Sequence, residues 1–215
     1  MTSPQPIVVF GTGGLAKEVT WLLEDTEETS FSIEAYVDLN PVAPTFLGRP
    51  VVSEETYLRD LRIQCPEAIL AIGDPTAKRH LATKLTGHGV VFPSITHRTA
   101  SVNKTVTVGS GTVICRDVIF TRDISVGQQV YFNFRCSLAH DVTIGDYVVV
   151  NPHACVSGMV EIGDDCVIGA GSVIRQGIKI GEGSTVGLGA VVFSDVPPGV
   201  TVVGNPARPM WRKES

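Results

Sequence analysis

Several residue classes are scarce in this chain of 215 residues, and each scarcity excludes something. Basic residues are outnumbered, 17 Lys and Arg against 22 Asp and Glu, and the net charge of −5 argues against nucleic acid as the main partner. No apolar run approaches the ~20 residues that a membrane span requires. The opening Met-Thr-Ser-Pro-Gln-Pro has no basic segment, and the apolar stretch after it stops at Gly11, so no signal peptide is expected. The five cysteines, Cys65, Cys115, Cys136, Cys155 and Cys166, are odd in number and form no C-x-x-C pair. Neither a disulfide framework nor a zinc site is therefore expected, and no His, Asp and Glu cluster has the spacing of metal ligands. A soluble, reduced, cytoplasmic setting fits these absences. With 43% hydrophobic and 18% charged residues, the chain has enough apolar material for a buried core.

Two sequence periods divide it. Residues 1–93 read as a small α/β domain of strands alternating with helices, which implies a parallel sheet. The expected strands are Ile7–Phe10, Ile33–Val37, Ala68–Ile72 and Val90–Phe92. The expected helices run over 14–27, over 54–61 with Ser53 as N-cap, and from Pro75 to Leu85, proline being welcome at a first helical position. Residues 94–101 read as a connector.

From 102 to 197 every sixth residue is apolar: Val102, Val108, Ile114, Phe120, Val126, Phe132, Leu138, Ile144, Val150, Val156, Ile162, Ile168, Ile174, Ile180, Val186 and Val192. An α-helix cannot carry this pattern, because residues six apart fall on opposite helix faces. A hexad instead reads as one short strand plus one turn, and three hexads as an 18-residue triangular coil of a parallel β-helix, stacked at about 4.8 Å per coil. One hexad cannot bury its apolar side chain alone, but a stack can. The second position, with Asn103, Gly109, Gly127, Asn133, Gly145, Asn151, Gly163, Gly169, Gly181 and Gly187, is expected to adopt positive φ. The fifth position, as in Val106, Thr112, Cys136, Ala154, Cys166, Ser172, Ser184 and Ala190, is expected to fill a narrow interior corner. Residues 198–215 read as a tail that caps the open end.

Two sets of residues carry candidate chemistry. Gly11-Thr12-Gly13-Gly14-Leu15-Ala16 follows a strand and opens a helix, where backbone N–H groups can approach a pyrophosphate. Gly11, Gly13 and Ala16 also meet a loose dinucleotide fingerprint, with Asp38 some distance beyond. The domain holds only one mononucleotide-binding half, so a nucleotide diphosphate sugar fits better than NAD. Gly11, Gly13, Gly14 and Lys17 are the expected phosphate contacts, Asp38 the nucleoside contact, and Gly73 and Asp74 the border of the same crevice. In the repeat, His140 takes the third, outward position of its hexad, with Arg122 one coil before and Gly158 one coil after. The glycine is expected to leave open space beside the imidazole. His80 in a helix and His88 in a Gly-His-Gly turn read as structural.

Four segments together resemble the bacterial sugar O/N-acyltransferases, the group with sialic acid O-acetyltransferases and N-acetyltransferases of nucleotide-linked 4-amino sugars. They are Val9 to Val19, Ala71-Ile72-Gly73-Asp74, His140-Asp141-Val142-Thr143-Ile144-Gly145-Asp146-Tyr147, and Val202 to Pro209. The resemblance implies a left-handed coil and acetyl transfer from acetyl-CoA, with His140 as general base and Asp141 orienting it. Imidazole suits that task, because its ordinary titration lies nearest neutrality. The implied acetyl-CoA contacts are Gly158, His153, Ala170 and Arg208. Family members also assemble as homotrimers with active sites between subunits. The chain departs from the family at Leu15, where histidine is common, and at Val149, where some members carry a second histidine; His153 lies four residues further on. N-acetylation of a nucleotide-linked amino sugar, such as a 4-amino-4,6-dideoxy sugar, is the leading expectation. O-acetylation and a non-catalytic scaffold remain as alternatives.

Overall fold

The computed structural model describes residues 4–25 and 31–210; the expected helical residues 26–27 and the last five residues of the tail lie outside them. The chain divides into two compact units, Met1–Pro93 and Ser94–Ser215.

In the first unit the elements are β1 (Gln5–Phe10), α1 (Gly14–Glu24), β2 (Phe31–Asp38), β3 (Thr45–Phe46), β4 (Arg49–Ser53), α2 (Glu54–Thr56), β5 (Ala68–Leu70) and α3 (Pro75–Gly87). The sheet order is β3-β4-β2-β1-β5, and β1 pairs in parallel with both β2 and β5. Its run Ile7-Val8-Val9 is fully buried, as a central parallel strand covered on both faces should be. From β1 the chain builds β2 and β4 to one side, then crosses to β5 on the other. This reversal opens a crevice at the carboxyl ends of β1 and β5.

Three local expectations change. The hairpin of β3 and β4 is unanticipated, because Pro44 precedes it and Pro50 lies within β4, paired with Thr45; Leu47 and Gly48 turn it at φ 46° and 75°. β4 then joins the sheet in parallel beside β2. The helix at 54–61 starts as expected, with Thr56 N donating to Ser53 Oγ at 3.1 Å, but widens to a π-helical turn over Tyr57–Leu61. Tyr57 anchors that turn, its buried ring edge-on to Phe10 at 5.2 Å and its hydroxyl donating to the Cys65 carbonyl. The expected strand at Val90–Phe92 shrinks to one bridge between Val91 and Glu67.

The second unit is a stack of triangular coils with three parallel faces. Residues 18 apart are in register on each face: Ile119 with Ser137, Ser125 with Thr143, Tyr131 with Val149. Residues 94–101 do more than connect, since Ile95–Thr96 pairs with Val113–Ile114 and begins the third face. In the tail, Thr201–Val203 extends that face beside Thr185–Val186, and Arg208–Pro209 returns antiparallel along it. First-position side chains from Ile114 to Val192 form one continuous core, with Phe120 and Phe132 edge-to-face at 4.7 Å. The fifth-position residues Thr112, Cys136, Ala154, Cys166, Ser172, Ser184 and Ala190 are buried, as small corner-fillers must be, while Val106 in the first coil is only partly buried.

The expected role of the second-position glycines is overturned. Positive φ occurs at the fourth position instead, in Asp117, Asp123, Gln129, Arg135, Asp141, Tyr147, His153, Met159 and Asp165 as well as glycines. Gly169 needs space rather than conformational freedom: a Cβ there would lie 2.6 Å from the carbonyl carbon of Gly187 in the next coil. Coils stacked at about 4.8 Å bring the main chain of Gly187 that close to Gly169, although Asn133 and Asn151 hold the same corner in earlier coils.

Candidate active site

The crevice of the first unit is built by backbone approach. Gly11 has φ 113°, and a Cβ on it would stand 2.9 Å from the Ala71 carbonyl oxygen, so the chain can turn here only with glycine. The Gly11 N–H donates to the Val37 carbonyl at 2.8 Å, and the Ala71 N–H to the Phe10 carbonyl at 2.9 Å. Together these bonds hold the ends of three strands around a cavity of about 560 Å³. Gly11, Gly13 and Asp38 line it. Asp38 is pre-oriented, with Oδ2 accepting from Thr12 Oγ1 at 2.6 Å and Oδ1 from the Asn40 N–H at 3.0 Å.

Four expected contacts, Gly14, Lys17, Gly73 and Asp74, do not line the cavity. The Asp74 carboxylate instead caps α3, accepting from the Ala77 N–H at 2.7 Å. Three polar residues were missed: Glu54, His80 and Lys84. The signal was present as the spacing of Ala77, His80, Leu81 and Lys84, which puts all four on one face of α3. Lys84 reaches across to Glu54, Nζ to Oε1, at 2.5 Å. His80, expected to be structural, belongs to this wall.

In the second unit His140 and Asp141 sit at a corner between two faces, joining the strands Ser137–Leu138 and Thr143–Ile144. Backbone bonds to the coils on either side fix the corner: Asp141 N to the Arg122 carbonyl at 3.1 Å, and Met159 N to the His140 carbonyl at 2.9 Å. Asp141 has φ 59°, a conformation that aspartate tolerates, and this turns its carboxylate back to the ring. His140 Nδ1 and Asp141 Oδ2 are 2.7 Å apart. A carboxylate can only accept, so Nδ1 carries the hydrogen, and in the neutral ring Nε2 is the nitrogen that keeps its lone pair. Arg122 one coil before is turned to Asp123, at 3.3 Å.

Gly158 corrects the expectation of open space. A Cβ there would come within 2.6 Å of His140 Cε1 and 2.7 Å of Nε2, so the imidazole itself fills the room that the glycine leaves. The Gly158 N–H makes no hydrogen bond among the described residues.

The other expected acetyl-CoA contacts stand apart from this corner. His153, exposed and at φ 61°, lies where the strand Val149–Val150 turns toward Cys155–Val156, a different corner of the triangle. Ala170 is at that same corner one coil later, and Gly171 N–H donates to the Pro152 carbonyl there. Arg208 is exposed on the returning strand, with Nη1 donating to the Ala207 carbonyl. Within one chain these residues and His140 do not form a single site. Burial pushes the Cys136 thiol far above its usual range and Cys166 up to about 11, whereas Cys155 is exposed and stands in register with Ser137. Among the described residues no three His, Cys, Asp or Glu converge as a metal site requires.

Two family descriptions match this chain, the PglD N-terminal domain over residues 6–85 and the hexapeptide repeat of succinyl-transferase over 159–194. Among solved structures it is similar to perosamine N-acetyltransferase from Caulobacter crescentus in complex with CoA and GDP-perosamine. That similarity has 30% identity, covers 96% of this chain and 97% of the other, and has a TM-score of 0.89. WeeI from Acinetobacter baumannii AYE is 32% identical over 96% of this chain and 100% of its own, with a TM-score of 0.87. The acetyltransferase domain of PglB from Neisseria gonorrhoeae FA1090, in complex with acetyl coenzyme A, is 28% identical over 97% of this chain and 100% of its own, with a TM-score of 0.86. Curated protein sequences yield no match.

Proposed function

Because the chain belongs to the hexapeptide-repeat sugar acyltransferases, we propose that it transfers the acetyl group of acetyl-CoA to the amine of a nucleotide-linked amino sugar. A 4-amino-4,6-dideoxy sugar is the acceptor class. One observation carries the reading: the similarity to an N-acetyltransferase bound to CoA and GDP-perosamine runs through both units, 96% of this chain. The crevice around Gly11 and Asp38 supports a role in holding the nucleotide, and the His140 corner a role in the chemistry.

In this reading the sugar nitrogen attacks the thioester carbonyl carbon. As the C–N bond forms, the carbonyl pair moves onto oxygen and Nε2 of His140 takes the nitrogen's proton. Asp141, bonded to Nδ1 at 2.7 Å, stabilises the resulting imidazolium. The Gly158 N–H, beside the ring, donates to the oxyanion. When the intermediate collapses, the C–S bond breaks and the imidazolium returns its proton to the departing sulfur, giving the N-acetylated sugar and free CoA. No acyl-enzyme is needed, since positioning two substrates in register supplies much of the rate.

The same membership supports a left-handed coil, a cytoplasmic enzyme and a homotrimer. The trimer accounts for the separation of His140 from His153 and Ala170, because a neighbouring copy would bring a second corner to each His140. Contacts from His153, Ala170 and Arg208 to acetyl-CoA are proposals on that basis. The test is thiol release from acetyl-CoA with UDP-, GDP- and dTDP-linked 4-amino sugars against hydroxyl acceptors. Turnover is expected only with amino sugars, and His140→Asn should lose most kcat with nucleotide-sugar binding intact. No turnover with any acceptor, or a fully active His140→Asn, would overturn the proposal.

A further inference from the structure

The order of groups across the sheet of the first unit matches the order of parts in a nucleotide. Gly11 follows directly on β1, Asp38 ends β2, and Glu54 follows directly on Ser53, the residue of β4 in register with Asp38. Neighbouring strands are about 4.8 Å apart, so the three positions step outward along one edge. The glycine turn at the start of α1 suits phosphate, and an acidic residue at the end of the second strand suits ribose hydroxyls. The base of the same nucleotide then falls at Glu54.

What stands there is selective. Glu54 has a side chain only 12% exposed, and its Oε1 is 2.5 Å from Lys84 Nζ. Its Oε2 has no partner among the described residues. Leu39, Ile72 and Leu81 line the same cavity and give it apolar wall, a surface on which a flat base can lie. A shielded carboxylate beside one ammonium is incompletely satisfied, and donors from a ligand would complete it.

The geometry points to a guanine nucleotide as the sugar carrier, read by Glu54 and Lys84; this rests on the nucleotide-sugar reading of the crevice. Guanine presents, in sequence along one edge, the O6 acceptor, the N1–H donor and the N2 amino donor. The ammonium of Lys84 donates to O6, and the two carboxylate oxygens of Glu54 accept from N1–H and N2–H as a bidentate pair. Uracil and thymine offer one N–H between two carbonyl oxygens, so the second carboxylate oxygen would face an acceptor. Adenine and cytosine would set an unprotonated ring nitrogen against the carboxylate. Rejection of such mismatches is strong in a shielded site, because the protein's polar groups are left unpaired.

Calorimetric titration of the full-length protein with GDP, IDP, UDP and dTDP tests this. GDP is expected to bind at least about thirty-fold more tightly than UDP or dTDP. IDP lacks only the N2 amino group and should bind about ten-fold more weakly than GDP, the loss of one charge-assisted hydrogen bond. Glu54→Gln should collapse the GDP-to-IDP ratio to within about two-fold, whereas Lys84→Met should weaken both equally and keep the ratio, since both carry O6. If UDP or dTDP binds as tightly as GDP, or IDP equals GDP on the unaltered protein, guanine recognition is overturned while nucleotide binding stands. If none of the four binds, the nucleotide reading itself falls and this assignment with it.

Discussion

Gly158→Ala isolates the placement of the His140 ring from every other property of the fold. The glycine lies outside the left-handed region, so alanine meets no backbone strain. Its Cβ would fall 2.6 Å from Cε1 and 2.7 Å from Nε2 of His140. Restoring an ordinary contact of ~3.5 Å requires the ring to retreat by about 0.9 Å. The obstacle is the free end of an exposed side chain, so the ring yields and the coil does not. Alanine also reduces the freedom of the unfolded chain, worth about 0.4–1 kcal/mol, which offsets the contact. The thermal midpoint should therefore stay within about 3 °C of the parent. A catalytic group displaced by nearly 1 Å loses its alignment with both the amine and Asp141, and such an error costs up to about 100-fold in rate. Thiol-release kinetics should show kcat down by about 10–100-fold with KM for the nucleotide sugar little changed. Gly169→Ala is the contrasting case: its Cβ would strike the backbone of Gly187 and Val186, which cannot retreat without breaking the 2.7 Å rung from Gly169 N to the Val186 carbonyl. It should lose more than about 2 kcal/mol of stability. Full kcat in a folded Gly158→Ala protein would refute the claim that the imidazole must occupy this gap.

Three further outcomes are expected. Asp141→Asn should keep the fold, because asparagine also tolerates φ 59°, yet lower kcat by about 10–100-fold in the same assay, since the imidazolium loses its charged partner. Lys78 is 2% exposed, and burial lowers its pKa from 10.5 to about 8. Below pH 8 both folded and unfolded chains carry its proton and the full cost of burying the charge is present. Above it the unfolded chain binds more protons, so this group's contribution to stability rises with pH toward 10.5. In urea unfolding, the stability of Lys78→Met relative to the parent should fall by about 2 kcal/mol between pH 7.5 and 9.5, and a constant difference would contradict the assignment. Finally, Cys155 is exposed while Cys65, Cys115, Cys136 and Cys166 are buried. A thiol reagent should therefore label Cys155 alone in the native protein and all five cysteines after denaturation.

The β-helix was legible because its interior repeats. Each first-position residue from Ile114 to Val192 meets its equivalents 18 residues away, so a local pattern and the tertiary contact are the same statement. The same regularity made Gly158 predictable as the neighbour of His140, but not whether the ring or a substrate would fill the gap. The α/β unit was legible strand by strand where runs were long, as at Ile7–Phe10. It was opaque at Thr45–Ser53, where Pro50 masks a strand that pairing with β2 creates.

The order of the residues alone determined the two units, the stacking register, the glycine turn after β1 and the adjacency of His140 to Asp141. All of these are properties of spacing along the chain, and hydrogen-bonded strands convert spacing directly into position. Only the tertiary structure decided which face of α3 meets Glu54, and that Asp74 is spent on a helix cap rather than on the crevice. It alone decided that positive φ belongs to the fourth position of the hexad, where it aims Asp141 at the imidazole. Those outcomes depend on side chains competing for partners far apart in sequence, and no local period encodes such a competition.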